Sequence, residues 1–346
     1  MKYVYSVIFS VLIAVLLVSC GSSSQSVTVK NTTINDSLLI KHVYEGKTNE
    51  NVYSVAHYRT NQWLLAVSDT TLLVLDARDG SFVKNVGRLS KPSVIKVNGG
   101  LLYLLDKGQE MIQSIILPSF LTSGILAGGK LNKPIDLTIF ASDVNKTSYF
   151  VTHLGDTSQV NSVKLITGAG YFALNETTED MVNPTSRDLS GPGVVYKPGA
   201  IEVDPTMANI AIVEESEFPN SIKFFDLNGN FDPGVRLKME FTGKIPDMDL
   251  YYCQEGKGYW LIAQNTELGG KSASITLVDR MTYEIAGELY FEDIDEIRSI
   301  SSVQSRIGTN IGGLLYIVNS KGKVYGYPWE KIKNALKLKH FCEFNR

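Results

Sequence analysis

A strand, a short polar turn, a second strand that often closes on Asp, and then another turn: this unit recurs along the chain roughly every 40 to 50 residues. It is plainest in "WLLAVSDTTLLVLDARDGSFVKNV", from Trp63, where Ser68-Asp69-Thr70-Thr71 separates two apolar strands and Asp79-Gly80 turns into a third. "SVIKVNGGLLYLLDKGQEMIQSIIL", "AIEVDPTMANIAIVEESEFPNSIKFFDLNGNF" and "MDLYYCQEGKGYWLIAQNTELGGKSASITLVDRMTYEIAGEL" repeat it. A looser copy begins at Asp136, and a last one runs through "GGLLYIVNSKGKVYGYPWEKI" from Gly312. A repeat of this length cannot bury both faces of its own small sheet, so neighbouring copies must stack. The pattern predicts an all-β, six-bladed β-propeller over residues 42–346, with a short C-terminal helix in "PWEKIKNALKLK". "HVYEGKT", from His42, is placed to supply an outer strand to the last blade. The polar stretch "NETTEDMVNPTSRDLSGPG", from Asn175, reads as an excursion between strands.

The ends of the chain carry other information. Lys2 followed by "VIFSVLIAVLLVSC" has the charged start and apolar core of a secretory signal, over residues 1–20. Leu17-Val18-Ser19-Cys20-Gly21 resembles a bacterial lipobox, which makes Cys20 the candidate lipidation site; an uncleaved anchor helix is the alternative, and either tethers the chain to a membrane. Residues 21–41 open with "GSSSQS" and read as a flexible tether. No acidic run follows Cys20, which favours the periplasmic side of an outer membrane over the cell surface. With 33 Lys and Arg against 36 Asp and Glu, nothing in the charge balance points to nucleic acid. Cys253 and Cys342 remain after lipidation, either paired across a long loop or as two buried thiols.

Several segments, in order and at matching spacing, resemble the beta-propeller phytases: "LLVLDARDGSFVKNVGRL", "EVDPTMANIAIVEES", "LYYCQEGKGYWLIAQNT", "ASITLVDR", "GGLLYIVNSKG" and "YPWEKI". The resemblance implies six blades and a fold whose enzymes use calcium to hydrolyse inositol phosphates. It also implies that Pro328-Trp329-Glu330 closes the last blade, with Pro328 stopping the strand, Trp329 burying its ring and Glu330 opening the helix. A calcium site of this kind needs many oxygen ligands. Where the family places acids, this chain has Ser93, Lys244-Ile245-Pro246, Ile297 and Ser299, with Arg298 between the last two. Glu50, Glu214 and Glu215 remain as candidate metal ligands, enough for weak calcium binding at most, with Asp247, Asp293 and Asp295 as nearby substitutes; no other cofactor is indicated.

The four His, at 42, 57, 153 and 340, are scattered, and "GILAGGKLNKP" lacks the spacing of a phosphate-binding loop. No GxSxG elbow or CxxC motif is present, so no catalytic residue is assigned. The sequence therefore reads as an exported, membrane-tethered propeller that binds an unidentified protein or small molecule without catalysis. The alternative is a phytase-like phosphatase, a phosphoric monoester hydrolase with a reduced or moved calcium site. A carbohydrate-binding lipoprotein is a weaker third reading, because exposed aromatic rings on an exported propeller can stack sugars.

Overall fold

The computed structural model describes residues 42–344 except 128–130, 132, 144–145, 154–161, 170–172, 181–194, 196, 216–219, 228–229, 236, 238–240, 242, 254–255, 267–272 and 292. Side chains are also left undescribed at 88, 127, 142–143, 146–147, 153, 162–169 and 173–180. Cys20 and the expected signal and tether lie outside the described residues.

The chain folds as a propeller arrangement of small antiparallel sheets with one helix. After β1 (Tyr44–Glu45), the first blade is β2 (Ser54–Tyr58), β3 (Trp63–Val67), β4 (Thr71–Asp76) and β5 (Phe82–Arg88). The second is β6 (Pro92–Asn98), β7 (Leu101–Asp106), β8 (Met111–Ile116) and β9 (Leu121–Ala127). The third is β10 (Pro134–Asp143), β11 (Lys146–His153), β12 (Ser162–Ala169) and β13 (Ala173–Asp180). A three-stranded sheet follows, β14 (Pro198–Asp204), β15 (Asn209–Glu214) and β16 (Ser221–Asp226). The next blade is β17 (Met248–Tyr252), β18 (Gly258–Asn265), β19 (Ala273–Asp279) and β20 (Ile285–Tyr290). The closing blade is β21 (Ile297–Ser302), β22 (Leu314–Asn319) and β23 (Val324–Pro328), completed by β1 on its outer edge.

Among the described residues five sheets are four-stranded blades, where the sequence predicts six blades; the three-stranded sheet is the exception. The exception has a local cause. After β16 the chain runs "LNGNFDPGVRLKMEFTGKIP", where Pro233, Pro246 and the glycines interrupt any strand pattern. Among the described residues there, Phe231 and Phe241 make only isolated bridges, to Phe225 and Asn220. A second correction concerns the polar stretch from Asn175: residues 175–180 belong to strand β13, in which Thr178, Glu179 and Asp180 pair with β12. The rest of that stretch lies outside the described residues, apart from Val195 beyond it.

The Asp that ends so many strands has a physical role. Asp106 accepts from the backbone N–H groups of Gly108 and Gln109, Asp204 from Thr206 and Met207, and Asp279 from Met281 and Thr282. Each carboxylate folds the turn that starts the next strand. Gly80 turns with φ +75° against the carbonyl of Glu45, where any Cβ would overlap that oxygen.

Apolar cores lie between neighbouring sheets. Leu65, Val67 and Val74 of the first blade meet Leu102, Leu104 and Ile115 of the second. Tyr103 and Leu105 then meet Leu137 and Val151 of the third, and Phe150 meets Ile201 and Val203 of the three-stranded sheet. Phe224 and Ala211 meet Trp260 and Met248, Leu261 and Ile275 meet Ile317 and Tyr327, and Val318 and Tyr316 return to Val55 and Leu73 of the first blade. The helix α1 (Trp329–Leu336) starts at Pro328, and its Trp329 is fully buried, stacked on Tyr251 at 3.8 Å between ring centres. The structure joins Cys253 to Cys342, with 5.4 Å between their Cα atoms.

Candidate functional site

The innermost strand of each blade is an edge strand: one side pairs within its sheet, while the other presents unpaired N–H groups to the central channel. Buried N–H groups need partners, and here neighbouring blades supply them through side chains. Asp136 on β10 accepts from Ile201 N on β14 at 2.9 Å and from its neighbour Leu137 N at 2.8 Å. Asp247 accepts from Ile300 N on β21 and from Met248 N, both at 2.8 Å. Asp249, on β17, does the same for Ser302 N at 2.5 Å and Leu250 N at 2.7 Å. Ser54 Oγ of β2 accepts from Ile95 N of β6 at 3.4 Å, and Gln304 Nε2 donates back to Leu250 O at 2.7 Å. The channel wall is held together by these clasps.

One cation sits among the acids. Lys96 Nζ on β6 is 2.6 Å from Glu202 Oε2 on β14, and Glu202 Oε1 accepts from Thr138 Oγ1 and Val203 N. Burial pulls the Lys96 ammonium down, but Glu202, Asp249, Asp247 and Asp136 together outweigh it and hold its pKa above the usual lysine value. Burial raises the Asp247 carboxyl to about 8, aided by the charge of Asp136 and opposed by Lys96. It raises Asp249 to about 7 against Lys96, and pushes Asp136 up as well. The surrounding cavity has a volume of about 1060 Å³. Lys107 and Lys244 also line it; burial lowers the Lys107 ammonium, with Lys244 and Lys91 adding repulsion against the attraction of Asp136.

The residues singled out from sequence fall elsewhere. Glu214 ends β15 and pairs with Lys223 at 2.7 Å, while Glu215 faces the channel and pairs with Lys197 at 3.2 Å. Glu50 is exposed in the link from β1 to β2, where its N–H donates to Thr48 Oγ1. Among the described residues no three His, Cys, Asp or Glu are placed to share one metal ion, so Glu50, Glu214 and Glu215 do not form a common shell. Of the other acids named with them, Asp247 lies in the channel wall, Asp293 is 3.7 Å from His42 Nδ1 and Asp295 is 3.4 Å from Lys321 Nζ.

Arg298 is a seam residue: it donates to Asn51 Oδ1 at 2.7 Å, to Val52 O at 2.8 Å and to Ser320 O, and lies over the Tyr53 ring. Ser93 Oγ donates to Leu105 O, and Ser299 lines the cavity with Asp247. His340 sits 3.1 Å from Asp279, whereas His57 lines the channel with its pKa lowered to about 4 by burial and by Arg59.

Lys96, Asp136, Glu202 and Asp249 were not anticipated. Their signal is a single charged residue between two apolar ones in the innermost strand of four consecutive sheets: Ile95-Lys96-Val97, Ile135-Asp136-Leu137, Ile201-Glu202-Val203 and Met248-Asp249-Leu250.

No protein-family profile matches the chain, and no curated protein matches it. Among solved structures it is similar to hydrazine synthase of Kuenenia stuttgartiensis, with 13% identity and a TM-score of 0.48, over 79% of this chain and 75% of that one. It is also similar to a nidogen/laminin complex chain, with 11% identity and a TM-score of 0.48, over 70% and 81% of the two chains. The computationally designed Ika4 protein matches with 11% identity and a TM-score of 0.36, over 54% of this chain and 98% of the design.

Proposed function

We propose that this chain is a lipid-anchored six-bladed propeller of the phytase-like type that binds a small ligand in its channel without catalysis. The count of six treats the three-stranded sheet as a blade that lacks its outermost strand, which the unbroken circuit of inter-sheet cores supports. The observation that carries the reading is the engagement of the channel acids. Asp136, Asp247 and Asp249 each use both carboxylate oxygens on backbone N–H groups, one of them from the next sheet, and Glu202 is tied to Lys96. Carboxylates committed to holding the wall are poorly placed to gather several calcium ions around a phosphate. Anchoring rests on Cys20 and the apolar run before it, and places the domain in the cell envelope.

Phosphate release from inositol hexakisphosphate, with calcium binding followed by calorimetry, tests the reading; neither signal is expected. Calcium-dependent turnover that disappears in Glu214→Ala or Asp247→Ala would establish the phosphatase instead. Replacing Cys20 by Ser should move the protein from the membrane to the soluble fraction; retention in the membrane would identify an anchor helix.

A further inference from the structure

Exposed apolar side chains are concentrated on one part of the rim. Among the described residues, Val43 beside β1, Phe82 and Val83 on β5, and Leu121 and Ile125 on β9 are between 43% and 64% exposed. They lie on the outer edges of the closing, first and second blades. The three edges are joined by contacts. Where β1 ends, Lys47 N donates to Gly80 O at 2.9 Å, which sets the start of β5, and Phe82 with it, against that end. Further along β5, Lys84 Nζ lies 4.2 Å from the centre of the Phe120 ring and 5.1 Å from that of Trp63, and Phe120 leads directly into β9 at Leu121. Trp63 and Phe120 stack with 5.9 Å between ring centres. Exposed edge strands are ordinarily guarded by charge or covered by another element. β9 carries no charged residue from Leu121 to Ala127, whereas the outer strand of the β17–β20 blade is covered by α1, whose Leu336 lies against Gly287.

The place where the chain enters the propeller points to what covers this strip. Entry is at His42 and Val43, on the strip itself, and residues 21–41 join that point to Cys20. A flexible segment of that length averages about 25 Å from end to end, so an anchored chain keeps this edge nearest its bilayer and makes even a weak surface contact effective. The side chains suit a headgroup layer: bare Phe, Leu and Ile can enter it, while Lys84, set over two half-buried rings, keeps its ammonium at the wet level.

We propose that the outer edges of the closing, first and second blades dock on the lipid surface that holds the anchor, with Phe82, Leu121 and Ile125 entering the headgroup layer. This rests on the lipid-anchored reading above and adds an orientation to it. Docking by the rim leaves the mouths of the central channel open to solvent.

Trp63 is the reporter, because the other two Trp, Trp260 and Trp329, are fully buried. The full chain, produced in bacteria with its N-terminus intact, is reconstituted into vesicles of phosphatidylcholine and phosphatidylglycerol, with or without bromine on the phosphatidylcholine acyl chains. Brominated vesicles should quench the tryptophan emission. Phe82→Glu with Leu121→Glu changes two exposed positions and should leave the fold intact; the variant should stay on the vesicles and lose about half or more of the quenching. A chain that is retained but unquenched, or quenched equally in the double variant, overturns the proposal and leaves the anchor in place. A dimer in detergent that the double variant abolishes, with no quenching in vesicles, overturns it in favour of a second copy of this chain on the strip. Release of the chain from the vesicles overturns the anchored reading and the proposal together.

Discussion

The blade built from β17 to β20 meets its two neighbours by different chemistry. Towards the closing blade the contact is a large aromatic and aliphatic core around Tyr251, Leu261, Ile317 and Trp329, reinforced by α1 and by the Cys253–Cys342 link. Towards the three-stranded sheet there is also an apolar core, around Phe224 and Trp260, but the added element is an ion pair. Arg280 and Asp204 are both fully buried, joined through Nε and Nη2, and Arg280 Nη1 donates to Lys257 O. To the hydrogen-bonded clasps of the channel wall the closing seam adds a large apolar core and a covalent staple. Beside the sheet with fewest strands, a directional bond fixes the angle between neighbours.

The comparison breaks most severely at its two centres. Trp329→Ala should cost about 3–5 kcal/mol, since it empties a fully buried site stacked on Tyr251; urea unfolding monitored by fluorescence checks it. Arg280→Met should cost a similar 3–5 kcal/mol or so, because Asp204 is left charged and unpaired in the interior. The two seams then separate on the double change: Arg280→Met with Asp204→Asn should recover part of the loss, whereas no second polar change rescues Trp329→Ala. A smaller effect is expected from Cys253→Ser with Cys342→Ser, about 2–4 kcal/mol, seen as a lowered denaturation midpoint that matches the reduced wild type.

How far these features were legible follows from their physics. The strand repeat could be read because turn chemistry and apolar periodicity are local, whereas the burial of Trp329 was implied by the resemblance to the phytases. Residues 227–247 announce in their prolines and glycines that a strand is interrupted, but a repeat reading expects a fourth strand there. The channel acids were hidden for another reason. An acid between two apolar residues in a strand ordinarily reads as the solvent-facing position of a half-buried sheet. In an innermost strand that position faces the channel, and the N–H that it satisfies lies more than fifty residues away, as for Asp247 and Ile300. Nothing local distinguishes the two cases.

The smallest effect sharpens the comparison at the channel. Asp247 and Asp249 also clasp the β17–β20 blade to the closing blade, and their carboxyls titrate near 8 and 7 in the folded state, above the ordinary carboxyl value. The folded chain therefore holds protons that the unfolded chain has released. Their contribution to stability is fully present below the ordinary carboxyl range and is lost as pH rises through 7 to 8. Thermal unfolding across that window should show the decline, and Asp247→Asn should flatten it. A slope that Asp247→Asn leaves unchanged would assign the titration to other groups.

The pairing of β1 with β23 has a consequence for the order of events as the chain is made. Tyr44 and Glu45 face Gly326 and Tyr325, so one of the earliest strands to leave the ribosome has its partner among the last. Until then β1 is an unpaired segment, the closing blade lacks its outer strand, and Tyr44 lacks the edge-on contact with Tyr316. Synthesis can stack the intermediate sheets one after another, but the circle is locked only after Val324–Pro328 has emerged. A chain halted before that point carries nearly all of its core and none of its closure.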